Sequence, residues 1–200
     1  GQKDYKRLLA YSSVEHMGII VLGLGIGGLA TNGAILHAMG HSLVKGMLFL
    51  VSGNLLSTWR SKRVDEVRGA LRMRPSSGAL WMLGLFLVTG APPSPLFVSE
   101  LAILKGALDA GQVAVAVAYL VGLTIVFVGL ASAFLPMALG EPGGKQGWDG
   151  DDGRDRRDTA WLVAPPAALA AVVLGLGIWL PGPVAQCLDS AVRLVIGGAG

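Results

Sequence analysis

The sequence contains one cysteine, Cys187, so an internal disulfide and a metal centre built from several cysteines are both excluded. Charged residues are also scarce, at 14% of the chain, whereas soluble domains carry roughly a quarter. Apolar residues instead make up 52% of the chain, and the mean hydropathy is +0.60. They fall in blocks of about twenty or more, the length that a helix needs to cross a bilayer. The composition therefore predicts an all-α integral membrane protein and argues against a soluble redox enzyme.

The apolar blocks predict about five transmembrane helices. We place them at about 7–30, 34–57, 79–109, 113–138 and 160–180, with tight turns at 31–33 and 110–112. The chain accordingly divides into a membrane region over 1–138, a polar loop over 139–159, and a last transmembrane helix with an amphipathic tail over 160–200. Because the sequence starts at Gly1 without an initiator methionine, we expect a piece of a longer protein.

Most lysines and arginines lie in three polar segments: the N-terminus, the segment between the second and third spans, and the segment between the fourth and fifth. If every span crosses once, these segments share one side of the membrane. The positive-inside tendency makes that side cytoplasmic and predicts a multi-pass protein of the cell inner (plasma) membrane. The basic pI of about 9.3 is then a sign of topology, so nucleic acid is not an expected partner.

Three polar or weakly apolar stretches carry predictions of their own. Residues 62–74 are expected to form a short helix along the membrane surface, with Val64, Val67 and Leu71 towards lipid. Residues 141–158 mix charges of both signs with several glycines, which predicts disorder. Apolar residues at helical spacing over 184–196 predict a second surface helix, on the non-cytoplasmic side.

The stretch "GLGIGG" at 23–28 satisfies the dinucleotide-binding pattern G-x-G-x-x-G, but it lies at the end of an apolar span. That motif requires a preceding strand and an acidic residue some twenty positions later. We therefore interpret Gly23 and Gly27 as a pair of small residues that allows neighbouring helices to approach closely.

Several ionisable residues occur inside the predicted spans, where charge is costly and is often linked to function. The second span places His37, His41 and Lys45 at four-residue intervals, which gives a stripe with about 6 Å between neighbours. That spacing suits one bridging water per pair, so the stripe could pass a proton along. The alternatives are polar residues bonded only to neighbouring helices, or a zinc site at the histidine pair, for which no third ligand is evident.

The third span is interrupted at its middle by Gly90, Pro92, Pro93 and Pro95. Proline removes a backbone donor and breaks the helical hydrogen-bond ladder, so two half-helices around an unwound centre are expected. Discontinuous membrane helices recur at ion-binding sites. Glu100 would then lie near the N-terminus of the second half-helix, whose dipole favours the carboxylate form; a mere proline kink is the alternative.

Three motifs in order, "KDYKRLLAYSSVEHMG", "HAMGHSLVKGMLFLVSGNLL" and "TGAPPSPLFVSELAILKGAL", resemble the antiporter-like membrane subunits shared by respiratory complex I, multisubunit Na⁺/H⁺ antiporters and membrane-bound hydrogenases. The pair Glu15 and His16, with "PPSPLFVSE", is most similar to component F of the hydrogenase-4 type. The resemblance implies a fourteen-helix fold with inverted repeats, of which this chain would hold most of the second repeat and the last helices.

The resemblance also implies roles for particular residues. Lys6 matches the lysine of a D-x-K-R motif at the cytoplasmic end, and Glu100 matches the broken-helix position that exchanges protons. The remaining proton-transfer candidates lie in the first two spans: Glu15, His16, His37, His41 and Lys45. No cofactor is expected in this chain, and redox centres would belong to partner subunits.

The expected function is proton translocation through a hydrophilic axis of histidine, lysine and glutamate, coupled to redox chemistry elsewhere in a hydrogenase-like or complex I-like assembly. Its expected partners are other membrane subunits, a peripheral redox arm and the lipid bilayer. Whether the chain counts as part of an enzyme then depends on those partners. A Na⁺/H⁺ antiporter subunit and a purely structural membrane subunit are the alternatives.

Overall fold

The computed structural model describes residues 2–141 and 159–197, and within these ranges the chain is almost entirely helical. Its helices are α1 (Tyr5–Ile26), α2 (Leu29–Trp59), α3 (Ala70–Met73), α4 (Pro75–Val88), α5 (Pro95–Asp109), α6 (Val113–Leu139), α7 (Ala160–Ile178) and α8 (Gly182–Gly197). Helices α1, α2, α6 and α7 are each long and apolar enough to cross a membrane. The short helices α4 and α5 together occupy the predicted third span. The all-α membrane fold expected from the composition is confirmed.

The turn between α1 and α2 lies at Gly27 and Gly28, not at 31–33 as predicted. Both glycines have positive φ angles, of 82° and 54°, a conformation that glycine adopts without a steric cost. Residues 31–33 are the first turn of α2, because the apolar pattern runs through the turn without a break. Gly27 is therefore a turn residue and does not act in helix packing. Gly23 does: a Cβ there would lie 2.9 Å from the Ala30 carbonyl oxygen.

The chain unwinds between α4 and α5, at the cluster of glycine and proline in the third span. Gly90 has a φ of 67°, and α5 restarts with Pro95 at its first position. Ser94 caps α5 by accepting a hydrogen bond from the Leu96 N–H, and its hydroxyl donates to the Leu87 carbonyl at 3.3 Å. The two half-helices are thus linked by one side chain across the break.

Helix α7 supports this break through Gly177. A Cβ on Gly177 would lie 2.8 Å from the Pro93 carbonyl carbon and 3.0 Å from that of Ser94. Since these are backbone atoms of a segment with few conformational alternatives, they cannot move aside cheaply. The absence of a side chain at Gly177 therefore allows α7 to pack directly on the unwound centre.

Gly177→Ala is expected to lower the stability of the full-length protein by about 1–3 kcal/mol, the usual cost of overpacking. The measurement is the thermal unfolding temperature of the purified protein in detergent. Gly175→Ala is the matched control on the same helix, because a Cβ there meets nothing within 4 Å. A decrease of equal size in both variants would contradict the packing role of Gly177.

The sequence predicted that the apolar side chains of segment 62–74 face lipid, and this prediction is wrong. Val67 is fully buried in the main core cluster, and Val64 and Leu71 pack against that cluster. The reason is a pair of backbone bonds to the start of the chain, Tyr5 N–H to the Lys62 carbonyl at 3.0 Å and Val64 N–H to the Lys3 carbonyl at 2.9 Å. Only Ala70–Met73 is helical.

The predicted C-terminal helix is present as α8, with Val184, Leu188, Ala191 and Val192 of its apolar stripe half-buried, whereas Val195 at the end of the stripe is 44% exposed. Residues 110–112 form the turn between α5 and α6, with Gly111 at a φ of 70°. The predicted disorder of 141–158 falls on residues that, apart from Glu141, lie outside the described ranges.

Candidate functional site

Small residues bring α1, α2 and α5 close together, and the ionisable side chains lie where these helices meet. A Cβ on Gly33 would lie 2.8 Å from the Ser99 carbonyl oxygen, so α2 and α5 touch through their backbones. Gly106 packs in the same way on Ala30, with a virtual Cβ 2.7 Å from the Ala30 backbone nitrogen. Such small-residue contacts allow membrane helices to approach closely. Polar side chains on facing helices can therefore reach one another directly.

Three histidines form a buried group that we call the histidine cluster: His16 of α1 and His37 and His41 of α2. The Nδ1 atom of His16 lies 2.9 Å from Nε2 of His37. The His16 ring also packs on the His41 ring, with 4.3 Å between centroids, whereas the rings of His37 and His41 are 6.3 Å apart. His16 therefore lies closer to each α2 histidine than they lie to each other, so the contacts within the cluster run through α1 and not only along the α2 stripe.

Lys45 lies one turn after His41 on α2 and is 5% exposed. Its Nζ donates to the Leu9 carbonyl at 2.7 Å and to the Ser12 hydroxyl oxygen. The Ser12 hydroxyl in turn donates to the Leu9 carbonyl at 3.1 Å. Helix α1 thus supplies oxygen acceptors to the lysine, as a cation buried at this depth requires.

Glu100 lies on α5 and is 9% exposed. Its carboxylate occupies the space beside Gly90, where a Cβ would lie 2.6 Å from the Glu100 carboxyl carbon. The neighbouring Ser99 faces the other way and is 2.8 Å from Nδ1 of His37. Of these two consecutive residues of α5, Ser99 therefore contacts the histidine cluster and Glu100 lies beside Gly90 in the break.

Glu15 and Tyr119 line a cleft of about 190 Å³ between α1 and α6. The Tyr119 hydroxyl is buried and has no hydrogen-bond partner within the described part of the chain. Glu15 is half-buried, and its charge interacts with those of Lys45 and Glu100. The last predicted site residue, Lys6, stands in the first turn of α1, about 15 Å along the axis from His16, and does not join this group.

A family described as "NADH:quinone oxidoreductase/Mrp antiporter, TM" matches residues 1–126 of the chain. The chain belongs to this family. A hydrogenase-4 component F homolog of Methylacidiphilum infernorum is 31% identical over 186 residues, which cover 92% of this chain and 37% of that protein. The resemblance drawn from the three motifs is therefore confirmed.

Two solved structures share the fold of this chain. Respiratory complex I from Thermus thermophilus with bound NADH contains a chain that is 26% identical to this one, with a TM-score of 0.79. The match covers all of this chain and 40% of the complex I chain. A chain of the Mrp complex from Dietzia sp. DQ12-45-1b matches with a TM-score of 0.80 at 24% identity. This match covers 98% of this chain and 43% of the Mrp chain. This chain thus spans less than half the length of the relatives it matches.

Several residues of this site are not indicated by the sequence patterns described above. Ser12 could have been found, because it lies one turn before His16 on the buried face of α1. Ser99 and Tyr119 carry no such signal, since their importance depends on contacts across helices far apart in the chain. Gly90 was interpreted only as a helix breaker, although it also makes room for Glu100.

A metal site at the histidines gains no support. Within residues 2–141 and 159–197, no group of three or more His, Cys, Asp or Glu side chains is arranged to hold a metal ion. His16 and His37 are instead bonded to each other, which engages one nitrogen of each ring. The histidine cluster is thus held together by the bond between His16 and His37, with the His41 ring packed on His16.

Proposed function

We propose that this chain is part of a proton-translocating membrane subunit. One observation supports this most strongly: the histidine cluster and Lys45 are buried among apolar helices, beside a broken helix that carries Glu100. Buried ionisable groups in a membrane are costly, and they recur along the paths of protons and ions. A subunit that served only to fill the membrane would be more stable without them.

In this proposal protons pass between Lys45, the histidine cluster and Glu100 through hydrogen bonds and intervening waters. Histidine suits this task because it changes charge near neutral pH and has two ring nitrogens. A proton held on Lys45 repels one on the nearby His41, since both carry positive charge. Arrival of a proton at one group therefore favours release from the next, and this repulsion moves charge along the site.

The relatives support a place for this subunit in a larger complex, such as a hydrogenase or an NADH-quinone oxidoreductase. Its partners would be other membrane subunits and a peripheral redox arm, which would hold all the redox centres. This chain would need no cofactor of its own. We place the subunit in the inner (plasma) membrane, with its basic segments on the cytoplasmic side.

A Na⁺/H⁺ antiporter subunit is the second candidate, and the family description itself supports it by including Mrp antiporters. The same buried carboxylate, Glu100, could bind sodium as well as a proton. A purely structural subunit is the third candidate. Its polar residues would only hold helices together, as the bond between Lys45 and the Leu9 carbonyl does.

Ion movement by the full-length protein, reconstituted with its partner subunits in liposomes, separates these functions. We expect redox-driven acidification or alkalinisation of the lumen at the same rate in sodium-containing and sodium-free buffer. A rate that requires sodium would favour the antiporter. If substitutions of Lys45 and Glu100 leave ion movement by the assembled complex unchanged, both transport functions are contradicted.

A further inference from the structure

A short run of hydrogen bonds leads from the histidine cluster into α5 and ends at a backbone carbonyl. Nδ1 of His37 lies 2.8 Å from the Ser99 hydroxyl oxygen, which lies 2.7 Å from the Leu96 carbonyl oxygen. All the side chains involved are fully buried. The close contact of α2 and α5 at Gly33 holds Ser99 within reach of His37.

The last bond in this run fixes the direction of the others. A carbonyl oxygen can only accept, so the contact at 2.7 Å requires the Ser99 hydroxyl to donate its proton to Leu96. The Ser99 oxygen then has only its lone pairs available for His37, so it can only accept a hydrogen bond from that ring. A hydrogen bond between them requires His37 to carry its proton on Nδ1.

The same reasoning extends to the partner of His37. With Nδ1 protonated, a neutral His37 has a lone pair on Nε2, and this atom faces Nδ1 of His16 at 2.9 Å. Nδ1 of His16 must therefore carry the proton of that bond. Nε2 of His16 is then a bare acceptor, and it is buried with no partner among the residues that the structure describes.

We propose that Ser99 is a positioning residue that holds the His37 proton on Nδ1, so that His37 exchanges protons only through its bond to His16. This inference rests on the proposed proton-translocating function. A proton that reaches Nε2 of His16 can pass from Nδ1 of that ring to His37, where it stops. Ser99 cannot carry it further, because the Leu96 carbonyl takes no proton. His37 is thus a side branch that stores a proton, and any onward transfer has to leave from His16.

Nitrogen-15 NMR of the full-length protein, assembled with its partners in lipid bilayers, tests this assignment. Histidine ring nitrogens report directly which atom is protonated, and the His37 signal is identified by its loss in His37→Gln. Above the usual titration range of histidine, we expect the wild-type His37 to carry its proton on Nδ1. Ser99→Ala should change the ratio of the two tautomers roughly five- to tenfold towards Nε2, the effect of losing one hydrogen bond.

Two further variants complete the test. Ser99→Thr keeps the hydroxyl and should keep the wild-type tautomer. Ser52→Ala is the matched control, since it also removes a buried hydroxyl that donates to a carbonyl three residues earlier, at 2.7 Å, but lies away from the histidines. A wild-type His37 protonated on Nε2, or an unchanged signal in Ser99→Ala, would overturn the proposal. Failure of proton transport with the expected tautomer would count against the proposed function alone.

Discussion

Replacing Lys45 with alanine is expected to slow proton movement by the reconstituted full-length complex roughly tenfold or more, as the loss of a proton-transfer group typically does. Lys45 is the cation that adjoins the histidine cluster, and its Nζ is held by the Leu9 carbonyl and the Ser12 hydroxyl. Alanine removes both the proposed proton carrier and the charge that acts on His41 and Glu15. The initial rate of pH change in liposomes measures the effect.

Lys105→Ala is the matched control for this experiment. Lys105 lies on α5, is exposed, and pairs with Asp109 at 2.6 Å, so its loss should leave the rate unchanged. Lys45→Met, which keeps most of the side-chain volume, separates a lost proton carrier from a packing defect. If both Lys45 variants assemble and transport protons at the wild-type rate, Lys45 has no part in proton transfer. If both prevent assembly, its role is structural.

Replacing Gly90 with alanine is expected to reduce proton movement as much as Glu100→Gln does, although it leaves every ionisable group in place. A Cβ at this position would lie 2.6 Å from the Glu100 carboxyl carbon, so the carboxylate would have to leave its site. The left-handed φ of 67° adds a backbone cost of about 1–2 kcal/mol for a residue with a side chain. The rate should again be measured in the reconstituted complex.

Gly111→Ala separates these two effects of Gly90→Ala. Gly111 has nearly the same φ, 70°, but a Cβ there meets nothing within 4 Å. Gly111→Ala therefore imposes the backbone cost without displacing a carboxylate, and we expect this variant to show normal transport in the assembled complex. Full transport by Gly90→Ala would show that the position of Glu100 beside the break is unimportant. A loss of equal size in Gly111→Ala would assign the effect to backbone strain.

Much of the fold could be predicted because the bilayer imposes length and composition on its helices. The break in the third span was predictable as well, since Pro92, Pro93 and Pro95 cannot continue a helix. The turn at Gly27 and Gly28 was misplaced because apolar residues continue on both sides of it. The orientation of 62–74 was also wrong, since only the backbone bonds to Lys3 and Tyr5 turn Val67 inward.

For the site, sequence reasoning found residues that share a helix but not the contacts between helices. The four-residue spacing of His37, His41 and Lys45 follows from helix geometry alone. That His16 would lie against both histidines depends on how α1 crosses α2, and this is set by small residues such as Gly23. The roles of Ser99 and Gly90 depend on the same kind of tertiary contact, for which one sequence contains no direct signal.

The two ends of the α1 and α2 pair are both closed, which limits where this protein can bend. At one end is the short turn at Gly27 and Gly28; at the other, backbone hydrogen bonds join Tyr5 to Lys62 and Val64 to Lys3. Two helices tied at both ends form a stiff frame, and the histidine cluster and Lys45 lie inside it. Helix α5 is held on this frame as well, because Gly33 and Gly106 bring its backbone against α2. The carboxylate of Glu100 is therefore expected to keep its position relative to the histidines, so protons would cross the gap between them through intervening waters and not by the swing of a helix.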